Sequence, residues 1–278
     1  MKKNQSDRRI LPLMGIRNCR DLGGIPVTGG KVVRPNRLIR CGRLWDMTGS
    51  DRRYLLEQSR LRAVVDLRND QEIREFPDPV LEGVRYCQVS ILPGLRPGIT
   101  REENGLSPQE KYLHYIDGLG PGGSRQLLEG LYPEMADLSA VEQLRLFFQI
   151  LLEAEEGSVL FHCTSGKDRT GICAALILAV LGADENQIFS DYLYTNEQTA
   201  PEREALCQSL RQHGASETQI DQVRTLESVD RAYLIAFFHE IQRKYGSVTL
   251  FMENELGIGA YERQCLYTRF LQDSWLVT

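Results

Sequence analysis

His162-Cys163-Thr164-Ser165-Gly166-Lys167-Asp168-Arg169-Thr170-Gly171 joins a short apolar run, Ser158-Val159-Leu160-Phe161, to a longer one, 170–181, that closes at Gly182. The first run is rich in strand formers and the second is apolar on nearly every face, so a buried strand should feed a buried helix. A tight loop at such a junction turns its backbone N–H groups toward one point and adds the positive end of the helix dipole, which suits a phosphate dianion. The same field favours a thiolate, so Cys163 reads as a nucleophile. Arg169 follows after five intervening residues, and its planar fork at the loop mouth fits two phosphoryl oxygens. Thr164, Ser165, Gly166, Lys167, Asp168 and Arg169 are together the expected phosphate cradle.

Outward from the loop, short apolar runs at 37–41, 62–67 and 84–89 read as further strands, and a helix should begin after Thr48 or Ser50 and carry Tyr54-Leu55-Leu56. Strands alternating with helices predict an α/β fold, a central sheet flanked by helices. Residues 93–123 are richer in glycine, proline and charge, as in Leu92-Pro93-Gly94 and Gly120-Pro121-Gly122-Gly123. The stretch 93–140 is set apart as a lid or insertion near the active site, with an ordinary surface excursion as the equal alternative. Beyond residue 183 the chain reads as helical, with a capping box at Ser216-Glu217-Thr218-Gln219 and a helix over 229–244. No repeat or linker divides it, so 1–14 reads as an N-terminal tail and 15–278 as a single domain.

Composition narrows the function classes. The chain has 278 residues, 42% of them hydrophobic, enough to fill a substantial core. Its 33 basic and 38 acidic residues give a net charge of −5, which offers a nucleic-acid partner no global attraction. Seven cysteines without paired spacing fit a reducing compartment better than a disulfide framework. No Cys-x-x-Cys pair or histidine cluster suggests a metal, and no cofactor is expected. No apolar run reaches the roughly 18 residues that would span a bilayer. The basic start, Met1 to Arg9, leads into no signal-peptide core, which makes the cytoplasm the default location, export by another route being left open.

The loop sequence resembles that of the cysteine-dependent phosphatases, and His-Cys-x-x-Gly-Lys-Asp-Arg-Thr-Gly is similar to the bacterial and fungal branch of tyrosine phosphatases with lipid phosphatase activity. Asn18-Cys19-Arg20-Asp21-Leu22-Gly23-Gly24 is similar to the Asn-Phe-Arg-Asp-Leu-Gly-Gly motif of that branch, with Cys19 at the usual aromatic position. Further similar pieces are Leu38 to Leu44, Val64-Val65-Asp66-Leu67-Arg68, Asp191-Tyr192-Leu193 with Asn196, and Tyr245-Gly246-Ser247-Val248. Cys41 stands where such proteins commonly carry serine; it reads as a small packed residue, with a redox partner as the alternative.

The resemblance implies phosphoryl transfer to Cys163 and hydrolysis of the thiophosphate, with a phosphorylated protein or a phosphoinositide as substrate. Each step needs a placed proton donor or acceptor. Asp168 matches the loop aspartate given this work in the branch. Asp66, at a strand end, is the rival acid or else an anchor for Lys167 or Arg169, and Asp137 is a third choice. Lys167 either serves a multiply phosphorylated headgroup or only supports the thiolate. His162 is expected to bond the loop rather than act as a base, and Thr170 or Ser165 to offer a hydroxyl to the sulfur, Thr170 being preferred. Arg20, Asp21 and Arg40 are supporting positions by resemblance alone. Two other readings stand beside this one: a phosphate-binding scaffold without turnover, and a rhodanese-like sulfurtransferase, whose loop lacks the Gly-Lys-Asp-Arg-Thr-Gly ending.

Overall fold

The computed structural model describes residues 9–92, 106–154 and 156–276. In chain order the strands are β1 (Arg20–Asp21), β2 (Pro26–Val27), β3 (Lys31–Val33), β4 (Leu38–Cys41), β5 (Leu61–Asp66), β6 (Arg85–Gln88), β7 (Ser158–His162) and β8 (Leu271–Asp273). The helices are α1 (Gly49–Arg53), α2 (Asp70–Glu75), α3 (Pro108–Leu119), α4 (Gly123–Glu134), α5 (Leu138–Glu153), α6 (Asp168–Val180), α7 (Glu185–Gln198), α8 (Ala200–Gln212), α9 (Glu217–Leu226), α10 (Arg231–Tyr245), the short α11 (Val248–Leu250) and α12 (Ala260–Phe270). Five strands form the main sheet in the order β1-β4-β7-β5-β6, and β2-β3-β8 form a small second sheet. The architecture is the expected α/β one, with a wholly helical stretch from α7 to α12.

Strands β4, β7, β5 and β6 run parallel. Parallel strands covered on both faces carry near-continuous apolar runs, and β4 and β7 are buried along their whole length. Alternation along the strands divides their side chains between two cores. Leu38, Ala63, Val65, Val159, Phe161 and Cys163 join the larger cluster, which α6 lines, whereas Ile39, Cys41, Val64 and Leu160 join a smaller one on the other face. Cys41 thus packs with Cys19 and Ile39 across the sheet from Cys163. Cys41 is fully buried there, a small packed side chain.

The ends of three strands meet in register, with Cys41 and Asp66 both opposite His162. The segments that follow them therefore converge at one edge, the usual place for a site in a parallel sheet. Thr48 caps α1 through a reciprocal box with Asp51, and Ser216 caps α9 through one with Gln219, as the side-chain spacing predicts.

Two boundaries differ from expectation. Residues 9–14 are not a loose tail: Ile10 bridges to Arg20, Leu11 is buried, and the amides of Met14 and Gly15 donate to Asp51. Of the stretch read as a lid or insertion, 93–105 lie outside the described residues. The remainder is largely helical: α3 packs on α8 and α9 through Ile116, Cys207, Leu210, Ile220 and Val223, and α4 packs on α9 and α10, its Leu128 and Tyr132 sharing the main core with Tyr233, Leu234 and Phe237. Gly120 and Gly122 take positive φ between α3 and α4 and interrupt the helical chain for only a few residues, whereas Gly130 lies within α4.

Candidate active site

The loop from Cys163 to Lys167 is held from outside by its carbonyl oxygens. The Thr164 carbonyl accepts from the Arg43 amide at 3.0 Å. The Ser165 carbonyl accepts from Asn18 Nδ2 at 3.2 Å. The Gly166 carbonyl accepts from both Asn18 Nδ2 and Arg40 Nη2 at 2.9 Å. Because each peptide is planar and trans, with its N–H opposite its C=O, fixing three successive carbonyls outward turns the amides of Ser165, Gly166 and Lys167 to the inner face. Gly166 has φ +68°, and a Cβ there would lie 2.4 Å from the Cys41 carbonyl, so only glycine lets the loop lie this close to β4. Helix α6 starts immediately afterwards, adding its free N–H groups to the same cradle.

Asp191 of α7 is the hub beneath this loop. Its carboxylate accepts from Arg20 Nε at 3.0 Å, Arg40 Nη1 at 2.7 Å and Arg9 Nη1 at 2.9 Å. Arg20 also reaches Asn18 Oδ1, the Asp191 carbonyl and Thr195, so one ion cluster fixes both side chains that pull on the loop. Burial alone would raise the Asp191 pKa, but Arg20, Arg40 and Arg9 outweigh it and hold the carboxyl far below the usual range. Arg20 is lowered to about 10, first by burial and then by Arg40. Asp21 faces elsewhere, accepting from the amides of Gly23 and Asn36; burial lifts it to about 6 against those two bonds.

Arg169 is gripped by a residue that the sequence reading overlooked. Glu72 accepts from Nη1 and Nη2 of Arg169, both at 2.6 Å, and Thr164 Oγ1 donates to the same carboxylate. Glu72 is the third residue of α2 and closes a capping box with Asn69; that Asn-x-x-Glu spacing directly after a strand was the available signal. Burial opposes the charge on Glu72, but Arg169 prevails and lowers its pKa. Two of the guanidinium's five N–H groups are spent on this fork, and two more make long contacts of 3.5 Å with the Leu67 carbonyl and Thr164 Oγ1 that a bound phosphate would displace. Glu72→Gln should lower kcat/KM by about ten- to a hundredfold, because a misplaced guanidinium forfeits alignment with the reacting phosphate; a value within twofold of wild type in steady-state assays would refute the role.

On the opposite face of the sheet Asp66 is fully engaged. It accepts from Arg68 Nε at 2.9 Å and Nη2 at 2.7 Å, and from the Tyr86 hydroxyl. Burial would raise its pKa, yet His162 and Arg68 lower it. Asp66 is not the anchor of either basic loop residue: Lys167 is paired with Asp168 and Arg169 with Glu72. His162 Nδ1 lies 3.1 Å from the Cys163 carbonyl and Nε2 lies 2.8 Å from Asp78 Oδ2. Burial disfavours an imidazolium, but Asp78 and Asp66 reverse that and raise the His162 pKa. Asp66, Asp78 and His162 bring three ligand atoms within 4.8 Å of one another. The Arg68 guanidinium, 2.7 Å from Asp66 and 2.8 Å from Asp78, already supplies the balancing positive charge, so the group fits an ion cluster better than a metal.

At the loop mouth, Asp168 Oδ1 accepts from the Tyr132 hydroxyl at 2.8 Å, and Lys167 Nζ lies 2.8 Å from Oδ2. Burial opposes the lysine's charge, whereas Asp168 and Glu227 favour it and raise its pKa. Asp137, the third acid considered, instead pairs with Lys244 of α10 just ahead of α5. The Thr170 hydroxyl is buried with no hydrogen-bond partner among the described residues. A cleft of about 250 Å³ opens beside the loop, lined by Thr164 and Ser165, by Arg17, Arg43 and Arg203, and by Leu206 among others.

The pattern described as "Tyrosine phosphatase family" matches residues 11–272. A candidate tyrosine-protein phosphatase of Cupriavidus necator is 28% identical over 252 residues, covering 90% of this chain and 85% of that protein. The triple specificity protein phosphatase PtpB of Mycobacterium tuberculosis is 28% identical over 261 residues, 86% of this chain and 91% of that protein. Among solved structures, TpbA of P. aeruginosa is 17% identical with a TM-score of 0.28, covering 70% of this chain and 88% of that one. With the pattern spanning nearly the whole chain and a Cys-to-Arg loop at its centre, the protein belongs to the tyrosine phosphatase family and is a cysteine-dependent phosphatase.

Proposed function

We propose that residues 15–278 act as one phosphatase domain in which Cys163 is the nucleophile, Arg169 the phosphate clamp and Asp168 the general acid and base. The observation that carries this reading is the set of three loop carbonyls bonded outward around Gly166, which aims the loop amides at a common point beside Cys163 and Arg169. The thiolate attacks phosphorus in line, the P–O bond to the leaving group breaks, and Asp168 gives its proton to the departing oxygen. Water then attacks the thiophosphate, its proton passes to Asp168, and the P–S bond breaks to restore the thiolate. Arg169 and the loop amides follow the three non-bridging oxygens throughout.

The substrates in this reading are phosphoinositides and phosphotyrosine proteins. Arg17, Arg43 and Arg203 line the cleft and can meet further negative charge on the substrate, although Asp46, Glu202 and Glu227 line it too and Asp46 lies 3.5 Å from Arg43. PtpB's name, triple specificity, is consistent with a broad range.

The test is phosphate release from a phosphotyrosine peptide, a phosphothreonine peptide and a phosphoinositide panel, by wild type and Asp168→Asn. The variant should lose about 10²- to 10⁴-fold on these poor leaving groups and far less on an activated aryl phosphate. Equal losses on both would remove Asp168 from proton transfer. No release by the wild type from any substrate would replace catalysis with phosphate binding, and thiosulfate:cyanide activity would favour sulfur transfer.

A further inference from the structure

We infer that Tyr132, carried by α4, is a positioning residue that holds Asp168 for proton transfer, with the Tyr192 hydroxyl of α7 behind it. The inference rests on the reading of Asp168 as the acid and adds two residues to it. Tyr132 is 0% and Tyr192 1% exposed, yet the hydroxyl of Tyr132 meets Asp168 Oδ1 at 2.8 Å and the hydroxyl of Tyr192 at 2.6 Å. A hydroxyl has one proton to give, and that of Tyr132 is directed at Asp168 Oδ1. Tyr132 therefore donates to Asp168, and Tyr192 must donate to Tyr132. The chain has one direction, and each bond polarises the next.

Ring packing fixes these hydroxyls independently of their hydrogen bonds. Tyr132 sits edge-on to Tyr192, with centroids 6.3 Å apart, and against Tyr233 at 5.5 Å. Tyr192 in turn lies on Gly171 of α6, where a Cβ would come within 3.0 Å of its ring. Asp168 is thus tied through Oδ1 to a rigid aromatic stack drawn from α4, α7 and α10. Lys167 Nζ stands nearer Oδ2, at 2.8 Å, than Oδ1, at 3.2 Å. With Oδ1 committed to Tyr132, Oδ2 is the oxygen that carries the transferred proton, and Lys167 is the group that must yield to the leaving oxygen. Tyr132 keeps its own proton in both steps. Burial, then Asp168 and Tyr192, push its phenol well above the ordinary range, which suits a donor that never ionises.

The experiment measures kcat of the full chain over a series of aryl phosphates graded by leaving-group acidity, for wild type, Tyr132→Phe, Tyr192→Phe and Asp168→Asn, with thermal unfolding in parallel. Tyr132→Phe should lose about tenfold on the poorest leaving group and less than about twofold on the best, so that the dependence steepens. Tyr192→Phe should steepen it in the same direction by less. In the Asp168→Asn background, Tyr132→Phe should cost nothing more. A loss equal across the series, or no loss, would assign the tyrosine a purely structural role and overturn the inference. An unchanged slope in Asp168→Asn would overturn the acid assignment itself. If Tyr132→Phe does not fold, Tyr192→Phe decides alone: a steeper slope supports the relay and a parallel one refutes it.

Discussion

Cys163→Ser should abolish phosphate release, with kcat lower by about 10⁴-fold or more, as for other removed catalytic nucleophiles. Serine is nearly isosteric, but its hydroxyl is a far weaker nucleophile than a cysteine sulfur. The loop does not depend on the sulfur for its shape. Its carbonyls are held by Asn18, Arg40 and Arg43, and its arginine by Glu72. The variant should therefore keep its unfolding temperature and bind phosphate or an uncleaved substrate within a few-fold of wild type. Calorimetric titration beside a phosphate-release assay checks both halves. Turnover within tenfold of wild type would mean that another group attacks phosphorus.

Asp191→Asn should be the most damaging single change to stability. Arg20 and Arg40 are wholly buried and Arg9 is largely so, and all three share this one carboxylate. Removing the negative partner of a buried cluster costs about 3–5 kcal/mol, since the remaining charges are left uncompensated. At roughly 2–4 °C per kcal/mol for a chain of this size, the unfolding temperature should drop by about 10 °C. Activity should fall with it, because Arg40 also holds the Gly166 carbonyl. The pH dependence has a definite sign. A carboxyl whose folded-state pKa is depressed contributes stability that is complete above its unfolded pKa of about 4 and is lost as pH falls toward the folded value. Wild type should consequently lose stability steeply below pH about 4, and the asparagine variant less steeply. Denaturant midpoints at neutral and acid pH measure this, and a variant that unfolds within 2 °C of wild type would show that the arginines find other partners.

What the sequence disclosed, and what it withheld, divides by the range of the interactions. The apolar runs around 38–41, 61–66 and 158–162 became the buried parallel strands because both their faces are covered. The loop between β7 and α6 was readable because its residues are contiguous. Strands β1, β2, β3 and β8 are two or three residues long, too short for a period to show, and pairing with distant segments makes them. Glu72 and Asp78 meet the loop and His162 only through the register of β5 beside β7. Asp66 sits at the predicted strand end, but alternation along β5 puts it on the face of Val64 and Leu160 rather than that of Val65 and Cys163, which naming it as the rival acid did not take into account. Arg9 lay in what read as a tail because its partner is 182 positions away.

The Glu72 carboxylate closes the first turn of α2 and clasps the arginine that receives phosphate, so a single pair of oxygens belongs to two equilibria. By linkage, whatever phosphate binding does to the Arg169 fork is felt by α2 as a change in the strength of its cap, and whatever frays α2 is returned to the site as an equal change in anion affinity. The segment 69–75 is then a thermodynamic reporter for an event at residues 163–169.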